Sequence, residues 1–547
     1  MRARSTRHHA PKNRTTAKTE FPRAGYKIEQ IIPPSPMHGI HGLAFGPDGA
    51  LYAASLMGHT IYKVDITTGA ATPYVGAPRG SAGDIAFGPN GTLAWTAAGE
   101  AAVLTRAPDG GLKTVAHDVT GVKAVNFTKD GRLFFSRIAE GDGLFEASLG
   151  GASPPRTIAE KIGGLGAFQF DGAERLYGPL IFRGKLVRMN ITTGEVTEIA
   201  KGFTTPSAVR IGGDGKLVAL DCATGEVIRV DPKTGDKAVL ATLDPPVDDL
   251  AIAKDGTIYV SSSAFNGITA IDPLSLKTRR VTWGGLSAPG AVVPVADDKA
   301  ETLLVADAWG ARLVDPASGS STLINRGPGV VGATSIAATE DTYILGNIWP
   351  AGTIQIVARD SGKVLANLTN FGAPYDIKPL SDGFVVADYA VGRLTKVAND
   401  AAHTRTTLAW GFDGPVGLAD AGKGVFYVSE YDSGKITRVD TATNERTTVI
   451  AGLEAPEGLA LAPDGRLIVA EVGARRVIAV TPASGAAEIL ADSLAIGLDG
   501  GHAGPFLSTG VAVTRDGAIY VTGDVENVLY RLTAPHAPSS PASRQAP

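Results

Sequence analysis

The chain has 547 residues, 44% hydrophobic and 19% charged, with 68 glycines, 34 prolines and a formal net charge of −4. That length favours more than one domain, the composition is globular with ample core, and no overall basic field suggests a nucleic-acid partner. No run of about 18 apolar residues exists to span a membrane, and the single cysteine, Cys222, cannot form an internal disulfide.

Residues 1–25 carry Arg2, Arg4, Arg7, Lys12, Arg14, Lys18 and Arg23 with almost no large apolar side chain. A disordered basic tail is expected there, solvated rather than docked on an anion. The segment lacks the apolar stretch of a secretory signal, and with one cysteine the expected compartment is the cytoplasm. Structure is expected to begin at Tyr26, with the strand-like segment 26–32 resembling the outer segment of later units.

A repeated unit follows. HGLAFGPDGALYAAS turns at Asp48-Gly49, and further turns stand at Asn90-Gly91, Asp130-Gly131, near Gly172, at Asp214-Gly215 and at Asp255-Gly256. Degenerate copies near Asp298 and Asp341 precede Asp382-Gly383, Lys423-Gly424, Asp464-Gly465 and Asp516-Gly517. The clearest copy is APEGLALAPDGRLIVAEVGARRVIAV from Ala455 to Val480. An apolar strand, a Pro-Asp-Gly turn, a second strand ending at Glu471, a Gly-containing loop and a third strand follow one another there. Twelve such units at a period of about 40 residues, none with a 3.6-residue repeat, predict an all-β chain of tandem β-propellers with twelve four-stranded blades. Since propellers typically hold about four to eight blades, two six-bladed rings are expected, over 26–274 and 275–533, with a Pro/Ser/Ala-rich tail at 534–547. A seven-plus-five split is the alternative. The last unit stops after its third strand, Val528–Leu532, so an outer strand borrowed from the start of a ring would close it. On this reading Lys277–Trp283 closes the second ring.

In a propeller, the loop leading into the inner strand and the loop after the second strand open on one face. In the first half the lead-in loops hold His38, His41, Asp84, Lys123, Ser207, Asp248 and Asp249, with His59 after the second strand of the first unit. The three histidines suit metal ligation or general-base work, His41 being the catalytic candidate. Cys222 reads as an inert small residue. In the second half the loops after the second strand give Asp307, Asn347, Asp388, Glu430 and Glu471, with Trp309, Trp349, Tyr389 and Tyr431 close behind four units' loop positions. Lead-in loops add Asp376, Glu457 and, in an expanded loop, Asp499 and His502. Such an oxygen-rich circle suits Ca²⁺ or Mg²⁺, with Glu457, Asp376, Asp388 and Glu430 as ligands, and the four aromatics would wall an organic substrate. Glu471 and His502 join His41 as catalytic candidates. The same acids are each followed by a basic residue (Asp307 by Arg312, Asp388 by Arg393, Glu430 by Lys435, Glu471 by Arg475), which would equally suit a structural staple in each blade.

The Pro-x-Gly-apolar, Asp-Gly, Leu-x-Val-Ala-acid and Gly-x-Arg pattern resembles the gluconolactonase/regucalcin group, and the NHL-repeat and streptogramin-lyase propellers. The resemblance implies one divalent ion at a channel mouth, with Glu457, Asp376 and, in the first half, Asp248 at matching positions. Lys123 and Gly166 stand where that group has asparagine. The function expected is metal-assisted hydrolysis, lactonase- or esterase-like, or elimination, on a small organic molecule. The alternative is a non-catalytic propeller that binds a protein or small ligand. Neither nucleic acid nor a membrane is an expected partner.

Overall fold

The structure is a computed structural model and describes residues 21–138, 140–151, 153–172, 174–296, 301–324, 333–348, 352–500 and 504–535. Twelve four-stranded antiparallel sheets account for its strands. In chain order they span 40–75 (sheet 1), 85–116 (sheet 2), 122–160 (sheet 3), 169–201 (sheet 4), 206–242 (sheet 5) and 250–282 (sheet 6). Sheets 7 to 11 span 289–323, 335–371, 374–410, 415–451 and 456–491, and sheet 12 joins 511–533 to Lys27–Ile32. None of the described helices is long and apolar enough to cross a membrane.

The hairpins within each sheet follow from local sequence. In sheet 11 the hairpin closes where Ala462 N donates to Arg466 O at 2.8 Å and Gly465 N to Ala462 O at 2.9 Å. Gly465 sits at φ +84° with nothing near the position of a Cβ, so the backbone conformation and not crowding demands glycine. Second strands such as Leu51–Ser55 and Leu467–Glu471 are buried along their whole length, because sheets pack on both of their faces. Outer strands such as Glu445–Ala451 are largely exposed.

Inner strands contact one another in two closed series. The inner strand of sheet 1 packs against those of sheets 2 and 6, and that of sheet 7 against those of sheets 8 and 12, with consecutive neighbours between. Side chains bridge adjacent sheets around each series. Hydroxyls of Thr96, Ser136, Ser335 and Ser429 donate to lead-in carbonyls of the next sheet. Ser261 Oγ reaches His41 O across the sheet 6–sheet 1 seam, and Thr522 Oγ1 reaches Gly290 O across the sheet 12–sheet 7 seam.

The strand that completes sheet 12 corrects the expected closure. Lys27–Ile32 pairs with Val528–Thr533, whereas Thr278–Thr282 pairs with Gly267–Ile271 as the outer strand of sheet 6. Both segments are polar outer strands, interchangeable in pattern, so local sequence does not say which edge each fills. Sheets 1 to 6 therefore consist of consecutive strands throughout, and only sheet 12 joins the two ends of the chain.

The basic tail also needs correction at its end. Pro22 O accepts Ile489 N at 2.7 Å, Ala24 N donates to Ile489 O at 2.8 Å, Arg23 pairs with Asp492, and Phe21 lies under the Arg476 guanidinium. Residues 21–24 thus dock on the outer edge of sheet 11. Residues 1–20 and 536–547 lie outside the described residues.

Candidate functional site: two channel mouths

At the lead-in loops the pairing register slips, between Ile40 and Leu43, Val122 and Val125, Pro206 and Ala208, Pro374 and Asp376, and Pro456 and Leu459. His41, Lys123, Ser207, Tyr375 and Glu457 all fall within these slips. A bulge releases a residue from the ladder and re-aims its side chain, so the backbone irregularity selects the mouth residues.

In the first series four sheets send chemistry to one place. His41 Nδ1 from sheet 1 lies 3.5 Å from Asp248 Oδ1 at the start of sheet 6, with both side chains partly open to solvent. Asp248 is fixed by accepting Ser263 N on its other oxygen at 2.6 Å. Lys123 from sheet 3 is close enough to act electrostatically on His41, Asp249 and Cys222, and its ammonium forms no salt bridge among the described residues. Burial pulls the His41 pKa down, with Lys123 adding to the effect and Asp248 opposing it, which favours the neutral imidazole. His41 Nε2 and Ser207 Oγ are buried without a hydrogen-bond partner. Burial, reinforced by Asp248, pushes the Cys222 thiol up to about 12, which disfavours the thiolate.

Deeper in the same channel Asp249 accepts the Arg210 guanidinium on both oxygens (2.8 and 3.0 Å) and Leu43 N at 2.9 Å. Asp84 accepts Val125 N at 2.9 Å, and burial together with the Asp249 charge raises its pKa to about 7.

The other two histidines stand at the junction of the two series. His38 Nε2 donates to Asp524 O at 2.7 Å, and burial lowers its pKa to about 4. His59 packs against Phe506, with ring centroids 5.3 Å apart. Trp309, read from sequence as a wall of the second mouth, lies instead across the junction, its ring 4.9 Å from that of His41.

The acids of the second series act as staples. Asp388 accepts Gly372 N and Ala373 N at 3.0 and 2.8 Å. Glu430 accepts Asp413 N at 2.7 Å and Thr437 Oγ1 at 2.5 Å, and Glu471 accepts Glu454 N at 2.8 Å and Arg476 Nε at 2.6 Å. Asp307 accepts Ser287 N and Ala288 N and pairs with the buried Arg312. Each carboxylate caps the lead-in loop of its own sheet, a use that periodicity alone cannot separate from a ring of ligands. The basic partner of Glu471 is Arg476, directly opposite it in the hairpin, while Arg475 donates to Leu494 O. Asp376 is engaged by Leu418 N, Ile377 N and Lys378 Nζ.

Glu457 differs from these. It is buried, accepts Thr509 N at 2.7 Å, and is pushed well above the ordinary carboxylate range by burial and then by the charge of Asp524. Tyr375 and Tyr431 lie within its field, and Tyr389 stands edge-on to both at 5.6 and 6.5 Å. Tyr389 also donates to Asp432 Oδ1 at 3.1 Å. Trp349 and His502 lie outside the described residues.

Among the described residues no three His, Cys, Asp or Glu side chains converge as metal ligands would. Asp388, Glu430 and Asp376 already satisfy backbone or side-chain donors, and Asp248 and Glu457 belong to different mouths. This donor set does not fit a divalent cation.

No family model matches the chain, and no curated protein matches it. Among solved structures it is similar to a streptogramin B lyase (16% identity, 52% of this chain and 95% of that one, TM-score 0.38). A gluconolactonase of Xanthomonas campestris matches at 14% identity over 44% of this chain and 88% of its own, TM-score 0.36. The extracellular domain of a one-component system of B. thetaiotaomicron matches at 12% identity over 94% of this chain and 84% of its own, TM-score 0.33. The likeness to these three structures is distant. At these identities it concerns the fold alone.

Proposed function

We propose that the first mouth hydrolyses a small ester or lactone by acid–base catalysis without a metal. The observation that carries this reading is the convergence of His41, Asp248 and Lys123 from sheets 1, 6 and 3, with His41 Nε2 lacking a partner. Neutral His41 takes a proton from water through Nε2 as the water oxygen bonds to the carbonyl carbon, and Asp248 steadies the imidazolium through Nδ1–H. The Lys123 ammonium faces the negative charge that develops on the carbonyl oxygen. As the carbon–oxygen bond breaks, the leaving alkoxide recovers the proton from His41, leaving acid and alcohol as products.

Each closed series of six sheets is taken as one propeller domain, the first being 33–284 and the second 285–533 together with 27–32. The second mouth is read as a ligand-binding site, its three tyrosines offering aromatic faces and edges and Glu457 a buried carboxyl whose pKa burial raises. A small organic molecule is the partner of each mouth.

The test is steady-state hydrolysis of a panel of aryl esters and lactones by the full-length protein, with His41→Ala and Asp248→Asn beside it. Loss of a positioned base lowers kcat by about 10²–10⁴-fold. Turnover that survives His41→Ala would overturn the assignment. If no panel member is turned over while one binds in a manner sensitive to Lys123→Ala, the non-catalytic alternative stands.

A further inference from the structure

The base of the first mouth packs against a residue from the other series. His41 Nε2, the atom assigned to proton transfer, is buried although its side chain as a whole retains some exposure. The Trp309 indole, tilted 59° at 4.9 Å between ring centroids, lies beside it. Trp309 is carried on the two-residue loop between Glu301–Asp307 and Gly310–Val314 of sheet 7. That loop is set firmly, because Asp307 holds Ser287 N, Ala288 N and Arg312.

The indole itself is not tied in the same way. Its Nε1 is buried without a hydrogen-bond partner, and it packs beside the apolar cluster of Ala264, Phe265 and Leu323. It nests against Gly39, where a Cβ would come within 2.5 Å of Nε1 and where φ is +65°. A loop fixed by Asp307 therefore carries a side chain held by packing alone, beside the imidazole the chemistry needs.

We propose that Trp309 is the gate of the first mouth, so that sheet 7 supplies a specificity-determining residue to a site built by sheets 1, 3 and 6. Rotation of the indole about its side-chain bonds uncovers His41 Nε2 while the Asp307-stapled loop stays in place. The acyl groups admitted are then those small or flat enough to pass or stack on the indole. This rests on the reading of His41 as the base, but the gating itself is measurable without turnover.

The experiment is carbethoxylation of histidines by diethyl pyrocarbonate on the full-length protein, followed peptide by peptide by mass spectrometry. His117, whose side chain is 80% exposed, is the internal reference. In the wild type His41 is expected to react about tenfold or more slowly than His117, the protection of a local opening equilibrium. Trp309→Ala is expected to remove that protection, and Trp309→Phe to keep most of it. Should Trp309→Ala melt, Gly39→Ala serves, since its methyl group displaces the indole from the other side. Equal rates for His41 and His117 in the wild type, or a rate unchanged in both Trp309→Ala and Gly39→Ala, would overturn the gate. Protection that responds to these variants in a protein that turns over no ester would keep the gate and refute the hydrolase reading.

Discussion

His38 allows the junction between the two series to be probed by acid. It is 3% exposed, and its Nε2–H donates to Asp524 O. Burial lowers its pKa from 6.5 to about 4. The unfolded chain takes up a proton as pH falls through 6.5, whereas the folded chain refuses it until about pH 4. The stability due to neutral His38 is therefore full above pH 6.5, shrinks as pH falls, and is gone below the folded pKa. At 1.36 kcal/mol per pH unit the loss amounts to about 3 kcal/mol. Asp84 and Asp524 act in the opposite sense, because burial raises their pKa values to about 7 and about 6 and their stabilisation is lost as pH rises. The raw pH–stability curve mixes both, so the informative quantity is a difference. His38→Gln keeps an N–H donor for Asp524 O and removes the titration. Urea unfolding of wild type and variant between about pH 4.5 and 7.5 should show the wild type's advantage shrinking by about 2.5 kcal/mol towards acid. Parallel curves would refute the assignment of His38 as a buried neutral histidine.

The staples make a second prediction: Asp388→Ala leaves Gly372 N and Ala373 N without their acceptor and should cost about 2–4 kcal/mol in urea, with first-mouth turnover intact. Loss of a bound ion on that substitution would restore the carboxylate to a ligand set. Calcium, magnesium and chelator are expected to leave the Tm of the full-length protein unchanged, and a chelator-dependent drop would return these carboxylates to a metal site. The strand pairing predicts that a 33–284 fragment gives a cooperative melt by itself, since its six sheets are made of consecutive strands. A 275–533 fragment, lacking Lys27–Ile32, should expose the edge of Val528–Thr533 and self-associate in sedimentation. The reverse outcome would favour closure by Thr278–Thr282.

The meander and its count were legible because a tight turn needs particular residues at a particular spot. Asp464-Gly465 announces its hairpin through a positive φ and an Asx bond to Arg466 N. The loop acids were legible as positions but not as partners. Both a metal circle and a staple demand a carboxylate at the end of the second strand, and only the donors facing it decide. Pairings between sheets distant in sequence were hidden altogether. His41 meets Asp248 only because sheet 6 returns beside sheet 1, and Trp309 meets His41 only because the two series share a junction. The slip of register behind Pro206, Pro374 and Pro456 was a usable local signal, since proline at the ladder's end leaves the next residue free to turn inward.

The pairing of Lys27–Ile32 with Val528–Thr533 also sets a timetable for synthesis. The first six sheets can close while the remainder of the chain is still being made. The twelfth cannot, because its outer strand leaves the ribosome first and its other three leave last. At about 5–20 residues per second the wait is roughly 25–100 seconds. For about the second half of that interval the closed first series carries an unpaired β segment at its front and a growing, open arc of sheets behind it. Unpaired strand edges invite misassembly, so the second half of synthesis is expected to be more exposed to it than the first.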